Sequence, residues 1–255
     1  MDWPLWVYLL LFLTGLIAGW VNTIAGGGGI ITVPVMLNLG LPVSLALGAN
    51  KLQASCGSVM GAWTFVHRGV VNLRECRTGI VLTVLGALLG AQTVQILDAH
   101  LLTTLIPWLL GGILLYSIFQ PKLGRQDHPP RLRWGWFYTA FGLGLGFYDG
   151  FFGPGVGSFW TMAFVLGQGY NLTKATGYTK VMNGASNLAA LALFALHGNV
   201  HFGAGLTMGA GQIIGSRLGA VLVVKKGTRL IRPIFLTMVA LTLLRLLYVS
   251  FSRPS

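Results

Sequence analysis

The sequence predicts an all-α polytopic membrane protein of two inverted-topology repeats, with about eight full transmembrane helices and two short broken-helix segments. Three observations lead there. Hydrophobic residues make up 54% of the chain and charged residues only 9%, with a mean hydropathy of +0.73, well outside the soluble globular range. Two glycine-rich breaks interrupt apolar stretches, and each is followed by an apolar piece too short to span a bilayer. Finally, the chain matches itself when displaced by 129 residues.

In order, the apolar segments run over 5–25, 30–40, 43–66, 78–97, 101–119, 134–152, 156–168, 173–196, 203–224 and 230–250. A full span needs about 20 residues, so the second and seventh are half-length. The first break reads Asn22-Thr-Ile-Ala followed by Gly26, Gly27, Gly28 and Gly29; the second is Gly-Pro-Gly-Val-Gly at 153–157. Runs of glycine end a helix because glycine has the most backbone freedom to lose. Broken backbone at membrane depth survives only where it is buried in protein or lines a polar cavity. The N-terminus has neither a basic leader region nor a small-residue cleavage site, so the first segment is expected to be retained.

The displacement superposes Gly15 on Gly144, Gly26 on Gly155, Gly28 on Gly157, Gly40 on Gly169, Gly86 on Gly215 and Gly90 on Gly219. It also superposes an Ala-x-Gly-x-x-Lys motif at 46–51 on 175–180, which glycine abundance does not explain. The halves are therefore read as 1–128 and 129–255. Basic connections at 67–77 (Arg68, Arg74, Arg77), 120–133 (Lys122, Arg125, Arg131, Arg133) and 225–232 (Lys225, Lys226, Arg229, Arg232) contrast with 98–100 and 197–202, which carry no Lys or Arg. The positive-inside rule puts the first three in the cytoplasm and the other two outside. Equivalent connections near 67–73 and 196–202 then lie on opposite sides, so the halves are inverted with an odd number of crossings each. Five crossings per half, counting the short pieces, satisfy every connection and put both termini outside. Inverted repeats with discontinuous helices are a secondary-transporter architecture.

A helix restart presents unpaired N–H groups and a positive dipole end, which suits an anion. The first expected site is thus Asn22 and the glycines 26–29, and the second Gly153, Gly155 and Gly157. The alternative is that these glycines only permit close helix crossing. Lys51 and Lys180 stand in long apolar helices, where a charge is expensive and points to function; the alternative is a lysine snorkelling to the interface. Lys51, Ser55 and Ser58 share one helix face, with Lys180 and Asn187 at the equivalent positions. Asn50 and Gln53, and Thr179, Asn183 and Ser186, form the adjacent rows. These stripes fit either a substrate path or interhelical hydrogen bonds. Asp149 is the one acid inside an expected span. It is read as a counter-ion to Lys180 or Lys51, a cap for the broken helix, or a proton-coupling group.

The formal charge of +12 reflects topology rather than nucleic-acid binding, because the basic residues sit between apolar runs. Cys56 and Cys76 are expected to form no disulfide, and the five histidines have no metal-ligand spacing. No nucleotide-binding or hydrolase motif occurs, so the chain is not expected to be an enzyme and no cofactor or metal is assigned.

Asn22-Thr-Ile-Ala-Gly-Gly-Gly-Gly, Asn50-Lys-Leu-Gln-Ala-Ser, Gly146-Phe-Tyr-Asp-Gly-Phe-Phe-Gly-Pro and Thr179-Lys resemble the sulfite exporter TauE/SafE family, in particular its YfcA-type subgroup of bacterial inner-membrane proteins. The resemblance covers nearly the whole chain. It implies a multi-pass permease of the bacterial inner membrane for small sulfur-containing or organic anions. The half-sites differ, Gly-Ala-Asn-Lys against Gly-Tyr-Thr-Lys, which suits an asymmetric substrate. The expectation is alternating access for a small anion in the lipid bilayer, driven by a coupling proton or by the substrate gradient. Its rivals are a passive anion channel, an intramembrane enzyme acting on an anionic lipid, and a non-transporting assembly partner. Glycine-rich outer faces leave a homodimer open.

Overall fold

Helices α1 (Leu5–Ala25) and α2 (Gly28–Asn38) flank the first break. The computed structural model describes residues 3–96, 126–227 and 237, and every regular element in them is helical. The expected segments at 101–119 and 230–250 lie outside the described residues. Next come α3 (Val43–His67) and α4 (Arg77–Val94). The stretch expected as one helix over 134–152 is α5 (Trp134–Phe137), a π-helical turn (Tyr138–Gly142) and α6 (Leu143–Phe151). Then follow α7 (Val156–Gly167), α8 (Leu172–Leu196) and α9 (Phe202–Lys226).

The first break is tighter than four glycines suggest. Only Gly26 takes the left-handed conformation, with φ 78°, and its N–H closes α1 on the carbonyl of Asn22 at 2.8 Å. Gly28 and Gly29 already belong to α2. The second break uses two left-handed glycines, Gly153 and Gly155, a conformation that side chains other than glycine rarely adopt. Among the described residues, left-handed glycines also follow α2 and α7 (Gly40, Gly169) and α3 and α8 (Gly69, Gly198). Each of these pairs, like Gly26 with Gly155, is related by the 129-residue shift.

Three described helices, α1, α4 and α9, are long and apolar enough to cross a membrane, and α2 and α7 are shorter apolar helices. The 25-residue α3 and α8 are long enough but less apolar, because they carry the lysines and amides. They lie at the centre and pack on each other. Around them α1 packs on α9 and α4 on α6, while α9 leans on α3 and α4 on α8. Glycines set these approaches: Gly15 and Gly19 meet Met208 and Gln212, and Gly86 and Gly146 meet Leu143 and Thr83. Small residues let membrane helices come close enough for dispersion contact, the main attraction available when lipid is as apolar as leucine. The outward faces of α1 (Leu5, Leu9, Leu13, Ile17) and α4 (Val81, Leu85, Leu89) are exposed and apolar at helical spacing, as a lipid-facing surface requires.

Candidate functional site

Lys51 and Lys180 stand at the same register of α3 and α8, and both are about 1% exposed. They are buried in protein rather than snorkelling. Lys51 Nζ donates to Asp149 twice, to the main-chain carbonyl and to Oδ1 at 3.0 Å. The other carboxylate oxygen of Asp149 accepts from the Ser186 hydroxyl and from Asn187 Nδ2 at 3.3 Å. Gly153 makes room for this pair, since a Cβ there would sit 2.7 Å from Lys51 Nζ and 2.8 Å from Asp149 Oδ1. Lys180 Nζ donates to the carbonyl of Asn22 at 2.6 Å. Lys51 thus reaches the C-terminal end of α6, and Lys180 that of α1. Such an end carries unpaired carbonyls and the negative pole of the helix dipole, and so attracts a cation.

The two breaks meet. A Cβ on Gly157 would lie 2.6 Å from Gly26 Cα, and the Ser158 hydroxyl donates to the carbonyl of Ala25 at 2.8 Å. Gly27 caps α2, and the Gly28 N–H points to Asn22 Oδ1 at 3.5 Å. A Cβ on Gly29 would be 3.6 Å from Asn50 Nδ2. Among the described residues, the N–H groups of Gly29 and Gly157 have no hydrogen-bond acceptor. Asn183 lies against Gly157, and its buried Oδ1 has no partner.

The rows beside the lysines form two hydrogen-bonded clusters at positions related by the 129-residue shift. In the first, the Thr32 hydroxyl donates to Asn50 Oδ1 at 2.8 Å, and Gln53 Nε2 reaches Asn50 Oδ1 at 2.7 Å and Thr32 Oγ1 at 3.1 Å. Gln212 Nε2 in turn donates to Gln53 Oε1. At the shifted positions, Thr161 and Thr179 share a hydroxyl contact of 3.1 Å, and Thr83 donates to the sulfur of Met182 at 3.5 Å. The first cluster is therefore built on carboxamides with one threonine, and the second on three threonine hydroxyls with a thioether.

The structure brings together Asn22, Gly26, Gly157, Lys180 and Asn183 as one group, and Lys51, Asp149, Gly153 and Asn187 as another. The Ser55 hydroxyl donates to the Lys51 carbonyl within α3 at 2.8 Å. The sequence reading missed Thr32, Thr161, Ser158, Gln212 and Ser216. The shift pairs Thr32 with Thr161, and Gln212 and Ser216 are buried polar residues at i, i+4 on one face of α9, so both signals were present. Ser216 donates to the Gly57 carbonyl at 2.5 Å and shares a 2.7 Å contact with Thr23.

The sequence matches the family described as sulfite exporter TauE/SafE over residues 11–246. It is 42% identical over 252 residues to a "Probable membrane transporter protein" of Haemophilus influenzae, covering 97% of each chain. It is also 42% identical over 244 residues to "Probable membrane transporter protein YfcA" of Escherichia coli K12, covering 96% of this chain and 91% of that one. A more distant relative, "Probable membrane transporter protein YdhB" of Bacillus subtilis, is 23% identical over 182 residues, 69% and 72% of the two chains. No solved structure matches. A match across nearly the whole sequence, on a chain whose described elements are all helical and include three helices apolar and long enough to cross a membrane, makes this chain a membrane transporter of the sulfite exporter TauE/SafE family.

Proposed function

We propose that the chain is a secondary transporter of a small anion, a sulfur oxyanion or organosulfonate, working by alternating access between two inverted halves. The observation that carries the reading is the charge balance at the crossed breaks. Lys51 is matched by Asp149, whereas Lys180 donates to a carbonyl and makes no ion pair among the described residues. A buried cation without a partner is costly in a low-dielectric site. An anion beside Lys180, near the Gly157 N–H and Thr179, completes that balance. The family match supports the class of solute, and the difference between the half-sites favours a substrate with unlike ends. Asp149, held through both carboxylate oxygens, acts here as the structural partner of Lys51 rather than as a proton relay.

The test is uptake of labelled sulfite and of 2-hydroxyethanesulfonate by proteoliposomes, with and without a pH gradient. Lys180→Met is expected to abolish flux while its melting temperature stays near the parent's. Flux unchanged in Lys180→Met removes the lysine from the site. Electrogenic flux indifferent to the gradient assigns a passive channel instead.

A further inference from the structure

The α3–α8 groove ends differently on its two sides, although both ends use positions related by the 129-residue shift. At one end a cavity of about 500 Å³ is lined by Ser44 and Leu47 of α3, Gln92 and Gln95 at the end of α4, and Phe194 and Asn199 at the end of α8. That volume suits a small-molecule site. At the other end the equivalents of Leu47 and Phe194 are Thr176 and Phe65, which are buried at 2% and 0% exposure. Phe65 belongs to a cluster with Phe164, Tyr170 and Tyr178, whose rings pack 5.0–5.9 Å apart. The shift places Val35, Leu41 and Ala49 at the corresponding positions of the cavity end. Among the described residues, one end is plugged by aromatic rings and the other keeps its space.

The plugged end is also clasped. The Tyr178 hydroxyl donates to Glu75 Oε2 at 2.6 Å and accepts from the Asn72 N–H at 3.3 Å, and Asn72 Nδ2 donates to Glu75 Oε1 at 3.2 Å. This ties the basic connection between α3 and α4 to the first turns of α8, two residues from Lys180. The shift puts Ala49, His201 and Ala204 at the places of Tyr178, Asn72 and Glu75, so among the described residues the cavity end has no equivalent of the Tyr178–Glu75 bond; there Asn199 Nδ2 donates instead to Gln95 Oε1 at 3.3 Å. Leu47 lies one turn from Lys51 on the same face of α3, and Phe194 two turns from Asn187 on α8.

We infer that the cavity is the entrance for a small hydrated anion on the face carrying the 197–202 connection, and that the Tyr178–Glu75–Asn72 clasp closes the opposite face. The inference rests on the transporter reading, so its test reads accessibility instead of flux. Full-length protein in liposomes, with Cys56 and Cys76 replaced by alanine, carries Ser44→Cys or Thr176→Cys and is treated with a membrane-impermeant cationic methanethiosulfonate. Ser44→Cys reacts quickly from the face opposite Arg74, and Thr176→Cys slowly. Tyr178→Phe keeps the ring packing, and Glu75→Gln changes only an exposed side chain. Each raises the Thr176→Cys rate about threefold to tenfold, the shift expected from losing one hydrogen bond, and lowers the Ser44→Cys rate. Thr176→Cys rates unmoved by both substitutions overturn the clasp. A Ser44→Cys that reacts only from the Arg74 face overturns the entrance. The accessibility shift without anion flux in the same liposomes overturns the transporter reading alone.

Discussion

At the residue scale, Lys51 and Asp149 show what a buried charge asks of its surroundings. The carboxylate uses both oxygens, and the ammonium also takes a main-chain carbonyl. Removing one partner of a buried pair strands the other, at a cost of about 3–5 kcal/mol. Lys51→Met and Asp149→Leu are each expected to lower the melting temperature in detergent strongly, and the double variant to recover much of the loss. Additive losses in that double-mutant cycle would mean that the two side chains are uncoupled. Cys76 offers a second check. Burial pushes its thiol up to about 11, so the protonated form persists through neutral pH and the thiolate gains only as pH rises towards that value. Maleimide labelling of Cys76 is accordingly expected to be slow at pH 7 and to accelerate steadily to pH 10. Complete labelling within minutes at pH 7 would contradict the burial.

Glycines divide sharply at the element scale into those that set an approach and those that do not. A Cβ on Gly90 would collide with the Phe147 carbonyl, and one on Gly157 with the Gly26 backbone, whereas Gly144 has open space around it. Backbone cannot move aside cheaply, so Gly90→Ala and Gly157→Ala are expected to cost at least about 2 kcal/mol, as overpacking does. Gly144→Ala should be neutral or stabilising by up to about 1 kcal/mol, the helix-propensity difference. Thermal unfolding in one detergent ranks all three, and a Gly144→Ala as damaging as Gly157→Ala would refute the distinction. The π-helical turn at Tyr138–Gly142 belongs to this scale too. It interrupts a segment whose apolar run reads as unbroken, because the hydrophobic pattern reports burial and not hydrogen-bond register.

For the whole molecule, the inverted arrangement proposed from the charge distribution makes a topological prediction. If α9 crosses the membrane, Lys225 lies on the same side as Arg74 and opposite His197. Single cysteines at these three positions, labelled with an impermeant reagent in oriented vesicles, are expected to divide that way. Lys225→Cys labelling together with His197→Cys would require an even number of crossings in the second half and end the inverted-repeat reading. The packing is reciprocal: α1 lies on α9 and α6 on α4, while Lys51 reaches Asp149 and Lys180 reaches Asn22.

The sequence by itself determined the membrane class, the positions of both breaks and the two lysines, because composition, glycine runs and a fixed repeat distance are local or one-dimensional signals. It also carried the family motifs. Only the tertiary structure decided that Asp149 serves Lys51 and leaves Lys180 with a carbonyl, that Gln212 and Ser216 of α9 join residues far away in the chain, and that among the described residues one end of the groove is plugged while the other keeps a cavity. These are outcomes of which helix lies against which. A buried charge takes the partner that packing brings within reach, and spacing along the chain does not say which one that is.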